Sequence, residues 1–267
     1  MLKTVAHSLT DSYVFSGDTY ASAALEIFYK RPAKYTKELT QIAYSATFYL
    51  AHGIEEQDQG KTEMRKRARE VWGRALACAD VVISEYFSAP KPASDEELKR
   101  EQEILKGALT IIDSAVFQLY LLFRVNEHLV RENLPSLDDP KRRKLFKELD
   151  PIWKLLLGPI GPGHEGLLPA QTTHHLVELF RTTVSYDPAR VLQLTADLFK
   201  GFNMGYQSDQ MAIAEVVRFA EIILADHKEI LKEPTNAANL AFILDQFVEF
   251  GWPQAIQLLM KLDSAVR

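Results

Sequence analysis

The chain has 267 residues, 47% hydrophobic and 25% charged, the balance of a globular protein able to bury a sizeable core. Its net charge of −5 argues against a dedicated nucleic-acid binder, which carries a basic excess. The single cysteine, Cys78, excludes an internal disulfide and fits a reducing, cytoplasmic compartment, and Met1–His7 lacks the apolar core of a secretory signal.

The predicted elements are all helical. Asp18 before Thr19 supplies an N-cap for a helix near 19–30, followed by one near 33–52. Two long helices, 61–88 and 94–132, are joined by Ala89-Pro90-Lys91-Pro92-Ala93. So short and stiff a connection predicts an antiparallel hairpin, spanning 61–132, that projects beyond its neighbours. Ser94 before Asp95-Glu96-Glu97 marks the start of its second arm, with acids favouring the helix dipole. The most apolar stretch, Thr110 to Phe123, is interrupted by Asp113, Ser114 and Gln118. It falls short of the roughly 20 residues of a membrane span and reads as buried in protein. Asp139-Pro140 opens a helix over 138–157, since proline at the first helical position loses no hydrogen bond.

Gly158-Pro159-Ile160-Gly161-Pro162-Gly163 is the one breaker-rich loop, the candidate break between an N-terminal part, 1–157, and a C-terminal part, 164–267, with one continuous array as the alternative. Beyond it come helices near 170–185, 188–203, 208–232, 235–250 and 252–266. Asp187-Pro188 and Ser208 before Asp209 mark two of their starts. Ile213, Val216, Val217, Ala220, Ile223 and Leu224 lie at spacings of three and four, as do Leu240, Ile243, Leu244 and Phe247. No convincing run alternates apolar and polar residues, so strands are not expected. Helix pairs recurring every ~35–45 residues predict an all-α array of antiparallel pairs, a HEAT- or armadillo-like α–α superhelix. An irregular helical bundle is the alternative.

Few side chains suggest chemistry. His164, Glu165, His174 and His175 match no zinc-ligand spacing, and Cys78, among small apolar residues, reads as a packed thiol. The carboxylates read as solvated helix faces rather than an acid/base pair, and there is no P-loop motif. Neither a catalytic residue, a cofactor nor a metal is therefore expected. Arg65-Lys66-Arg67-Ala68-Arg69 and Lys141-Arg142-Arg143-Lys144 could touch phosphates, the basis for a nucleic-acid-binding helical scaffold as an alternative, but flanking acids favour solvated helix faces. Tyr206, Phe250 and Trp252, with Phe202, sit near helix junctions. Tyr206, Phe250 and Trp252, together with Arg65, Arg67 and Arg69, form the candidate partner surface. Arg124 and His128 could share a helix face at i and i+4, the basis for a degenerate nuclease alternative. Their spacing is shorter than in all-helical ribonucleases of the HEPN class.

From Asp187-Pro188 onward a particular order of pieces appears. Val191-Leu192-Gln193-Leu194 is followed by Gly205-Tyr206, Ala225-Asp226-His227-Lys228-Glu229-Ile230-Leu231, Leu244-Asp245-Gln246-Phe247-Val248-Glu249 and Gly251-Trp252-Pro253-Gln254-Ala255. In this order the region resembles the extreme C-terminal part of very large bacterial ATP-binding proteins of the signal-transducing, STAND-like kind. Tyr13-Val14-Phe15-Ser16-Gly17-Asp18 through Tyr29-Lys30-Arg31-Pro32 is similar in flavour. The resemblance implies a helical sensor or scaffold downstream of a nucleotide-binding module, in proteins several of which act against phage. It implies a protein partner, either that module or a sensed protein, and carries no catalytic residues across. Neither a membrane nor a nucleic acid is an expected partner, and the sequence sets no oligomeric state.

Overall fold

The computed structural model describes residues 4–51, 54, 59–90, 92–124, 139–158, 169–201 and 210–266. Among them, helices are the only regular secondary structure, so the protein is all-α. They form two compact units, Met1–Pro159 and Ile160–Arg267.

The first unit contains α1 (Val5–Ser16), α2 (Thr19–Tyr29), α3 (Thr36–Leu50), α4 (Gln59–Ser88), α5 (Asp95–Phe123), α6 (Asp139–Glu148) and α7 (Asp150–Leu157). Helix α3 lies at its centre, packed by α1, α4 and α5. Its Leu39, Ile42, Ala43, Ala46 and Leu50 are all buried, the i, i+3, i+4 stripe that amphipathic packing requires. Helix α4 meets it with small residues, Ala68, Ala75 and Ala79, between Trp72, Leu76 and Ile83. An aromatic chain ties the end of α5 to the two short helices: the ring centroids of Phe123 and Phe146 are 6.3 Å apart, and those of Phe146 and Trp153 5.3 Å. The Trp153 indole N–H donates to the Phe146 carbonyl.

The caps follow the sequence. The Asp18 carboxylate accepts from the amides of Tyr20 and Ala21 and from the Ser12 hydroxyl, and these bonds hold its pKa below the usual range. Ser94 Oγ caps α5 by accepting from the Glu97 amide, while the Glu97 carboxylate reaches back to accept from the amide of Ala93, the residue before the cap. The hairpin of α4 and α5 does project. From Ser94 to Arg100 every residue is exposed, and burial on α5 resumes only at Ala108.

Gly107 sets the approach of α5 to α3. A Cβ there would lie 2.4 Å from Thr36 Oγ1 and 2.7 Å from Thr36 Cβ, closer than real contacts allow. Only glycine fits, at the cost of backbone freedom.

Several elements depart from the expectations. Residues Val5–Ser16 form a helix, α1, that the apolar pattern does not reveal. The helix expected over 138–157 is two, α6 and α7, because Pro151 lacks the amide that would continue the first. The helix expected over 94–132 ends at Phe123, where Arg124 takes an extended ψ of 125°. By length and composition α5 is apolar enough to cross a membrane, unlike the expectation for Thr110–Phe123. Here its Ile111, Ile112, Val116 and Leu119 are buried in the first unit.

The second unit contains α8 (Ala170–Thr183), α9 (Pro188–Lys200), α10 (Gln210–Asp226), α11 (Pro234–Val248) and α12 (Pro253–Val266). Helix α8 packs on α10 and α10 on α12, while α9 packs on α11. Every second helix therefore stacks on the one before, the two-layer arrangement of an array of helix pairs. Lys228–Lys232, expected as the end of the helix over 208–232, is a separate 3₁₀ turn. Asp187 caps α9 through the Arg190 amide, with Pro188 at the first helical position. The turn between α11 and α12 is a Schellman motif. Gly251 has φ 79°, its amide donates to the Val248 carbonyl at 2.8 Å, and the Trp252 amide donates to that of Phe247 at 3.2 Å.

Two stability predictions follow from these contacts. Asp187→Ala should cost about 1 kcal/mol in urea denaturation followed by circular dichroism, and Asp187→Asn should retain most of the lost stability. In an open helix Gly→Ala would stabilise by about 1 kcal/mol. At Gly107 the sign should reverse, with a lowered Tm and a cost of about 1–3 kcal/mol from overpacking against Thr36.

Candidate partner-binding surfaces

In the basic run of α4, Arg65 is buried, Arg67 and Arg69 are half-buried, and Lys66 is exposed. Arg65 is only 2% exposed, and its Nε lies 3.6 Å from a carboxylate oxygen of Glu148. Arg69 pairs with the same carboxylate. Arg67 turns to α1, donating from Nε to the Val14 carbonyl at 2.9 Å and from Nη2 to the Phe15 carbonyl at 3.1 Å. Those carbonyls are in the last turn of α1, where no further helical amide reaches them. The three arginines therefore join α4 to α1 and α6 and do not present one common face; the expected partner surface at Arg65 is corrected to an interior position.

One turn further along α4, Arg74 pairs with Glu26 and its guanidinium lies 4.0 Å from the Tyr29 ring centroid. Burial pushes the Tyr29 phenol well above its ordinary pKa, and the Tyr29 Oη has no hydrogen-bond partner among the described residues. Burial also raises the Cys78 thiol, to about 11, and its Sγ contacts the Tyr29 carbonyl at 3.7 Å. Cys78 is thus a neutral, packed thiol at physiological pH.

A groove runs between α4 and the α6–α7 corner, with a volume of about 440 Å³. Gly73 and Ala77 of α4 and Pro151, Ile152 and Leu155 of α7 supply apolar walls. Lys66, Arg69 and Arg74 line it with Glu70 and Glu148. The surrounding sequence is basic. Helix α6 carries Lys141, Arg142, Arg143, Lys144 and Lys147 against Asp139 and Glu148, in a chain with a net charge of −5. Lys144 is anchored there, its Nζ donating to the Ile54 carbonyl at 2.7 Å. The sequence does not announce this groove because its walls lie some 75 residues apart. The one local signal is the i, i+3, i+4 series Lys66, Arg69, Glu70, Gly73, Arg74 and Ala77, in which charged and small residues share one face.

In the second unit, Phe250 and Trp252 flank the Gly251 turn and are half-buried. A shallow depression of about 350 Å³ along α10 is lined by Arg181, Arg218, Glu221, Ile222, Ala225 and Asp226. The Glu215 carboxylate, 11% exposed, holds both Arg181 and Arg218 beside it. Tyr206 and Phe202, with the expected Gly205-Tyr206 turn and the Ser208 helix start, lie outside the described residues, as do most of the Gly158–Gly163 loop, His164, Glu165 and His128. His174 and His175 are adjacent on α8, and among the described residues no group of three His, Cys, Asp or Glu side chains could hold a metal ion. Arg124 caps α5 with its guanidinium 5.2 Å from the Tyr120 ring centroid. The i, i+4 relation expected between Arg124 and His128 involves His128, which lies outside the described residues.

No family model, curated protein or solved structure matches the chain.

The position of Cys78 gives a chemical prediction. With the thiol at about 11, on the order of one molecule in a thousand is thiolate at pH 8. Its raised folded pKa contributes stability that is present below the unfolded value, about 8.5, and lost as pH rises towards 11. Iodoacetamide labelling of the native protein should be slow at pH 8, rise steeply towards pH 10, and become fast at pH 8 only after unfolding. Rapid native labelling at pH 8 would count against a packed thiol.

Proposed function

We propose that the chain is a non-catalytic helical scaffold or sensor that works by protein–protein recognition. The layered packing of α8, α10 and α12 and of α9 and α11 is the observation that carries this reading. Stacked helix pairs expose one helix face after another, a surface that can be long without needing a pocket. The partly apolar, partly charged groove of the first unit is of the same kind.

The finer reading rests on the order of pieces from Asp187 to Ala255. It makes this chain the C-terminal sensor or scaffold part of a larger bacterial NTPase, in the cytoplasm and acting in defence against phage. Its partner is then the attached nucleotide-binding module or a sensed protein. Binding along the array would bias that module by differential affinity for its two states.

The test uses the purified chain and the nucleotide-binding module of the same reading frame, or of a neighbouring one. Isothermal titration should show association and a changed ATP turnover of the module. Metal-independent RNA cleavage by the chain, abolished in His128→Ala, would instead establish a nuclease and overturn the reading.

A further inference from the structure

We propose that two copies of this chain pair through the outer face of α2, antiparallel, about a two-fold axis beside Ala23 and Ala24. The proposal concerns the first unit alone and does not depend on an NTPase parent.

Helix α2 is more apolar than its place in the fold requires. Among its 11 residues Glu26 is the one charged side chain, and Arg74 pairs it. A helix apolar on all sides is normally covered on all sides. Yet only Ala21 and Leu25 of α2 are buried, and within the unit it packs on α1, α3 and α4. Its other side is open. Tyr20 is 88% exposed and Ile27 56%, and Ala23 between them is exposed as well. At 3.6 residues per turn these three fall within a sector of about 60°, a stripe rather than scattered positions. Phe15, in the last turn of α1, is 72% exposed.

The area suits a dimer. A Phe or Tyr side chain offers about 200 Å², so Phe15 and Tyr20 leave about 300 Å² in solvent. Ile27 and Ala23 bring the apolar total to roughly 400 Å². Since interfaces are about 60% apolar, the whole face amounts to roughly 700 Å² per copy. A standard interface takes about 800 Å² from each partner.

The order of sizes points to the occupant. Large Tyr20, small Ala23 and Ala24, and large Ile27 read alike from either end. An isologous contact needs that property, because a two-fold axis sets a patch against its own reversed copy. With the axis at mid-helix, Ala23 lies beside Ala23 of the second copy. Tyr20 then meets Ile27 of the second copy at each end. The central methyl groups let two backbones approach closely, and the larger side chains close over the ends. The antiparallel setting also places each positive helix end beside a negative one. A lipid surface fits less well, because insertion is rewarded per buried CH₂ and the centre of this face offers only alanine methyls.

Sedimentation velocity and cysteine cross-linking on the full chain test the proposal. The wild type should pass from monomer to dimer, and no further, across the micromolar range. Raising salt from about 50 mM to about 500 mM should change the dissociation constant less than about twofold, since the stripe carries no charge. Ala23→Glu sets two carboxylates against each other at the axis and should weaken dimerisation at least about a hundredfold. Ala23 is exposed, so helical circular dichroism should be unchanged. Under mild oxidation Ala23→Cys should give a disulfide-linked dimer, and Gln102→Cys, exposed on α5, should give none. A wild type that stays monomeric, dimers untouched by Ala23→Glu, or cross-linking no greater at Ala23→Cys than at Gln102→Cys would each overturn the proposal. Cosedimentation of the wild type with phosphatidylcholine–phosphatidylserine vesicles, lost in Ala23→Glu, would assign the face to a membrane and also overturn it.

Discussion

Four arginines of one helix tie α4 to the flanking helices of the first unit. Along α4 they point to different neighbours: Arg67 to the carboxyl end of α1, Arg74 to Glu26 and Tyr29 of α2, and Arg65 and Arg69 to Glu148 of α6. Apolar packing fixes α3, α4 and α5 against one another, but it is non-directional. The directional bonds set where the flanking helices attach. Glu148 is the most exposed to failure among these partners, since its loss would leave the 2%-exposed Arg65 guanidinium inside without a counter-charge.

The same arrangement shows how far the sequence could be read. The caps were legible because a cap is local: Asp18, Ser94 and Asp187 each accept from an amide two or three residues ahead. The helical class and the projecting hairpin were legible from apolar period and from a short stiff connection. Helix α1 was not, because its inward positions are Ala6, Thr10 and Val14, two small residues and one hydroxyl. The Thr10 hydroxyl is satisfied by the Ala6 carbonyl one turn back, so a polar residue occupies a core position at no visible cost. Arg65 departs from the expectation for a related reason. A charge on a helix belongs in solvent unless something far away receives it, and Glu148 is 83 residues distant in sequence.

For the candidate surfaces the balance differs. The Gly251-Trp252-Pro253 turn was legible as a helix stop, and its two amide bonds are those of a Schellman cap. Which face of a helix meets a partner is a tertiary property, and no local pattern specifies it. The α4–α7 groove belongs to that category: its basic half could be seen in the sequence, and its apolar half came from a short helix that was expected to be the tail of a longer one.

Gly107 has a mechanical meaning. Interdigitated side chains such as Ile111, Ile112 and Val116 set the register of α5 in the first unit, and the close approach at Gly107 adds to that constraint. A slip of one turn would bring Glu103, Ile104, Thr110 or Ile111 opposite Thr36, where any Cβ collides. The glycine therefore acts as a notch that reinforces a single register. It helps to fix how much of α5 overhangs the body of the unit, and so it helps to gauge the reach of the hairpin from a point well away from its end.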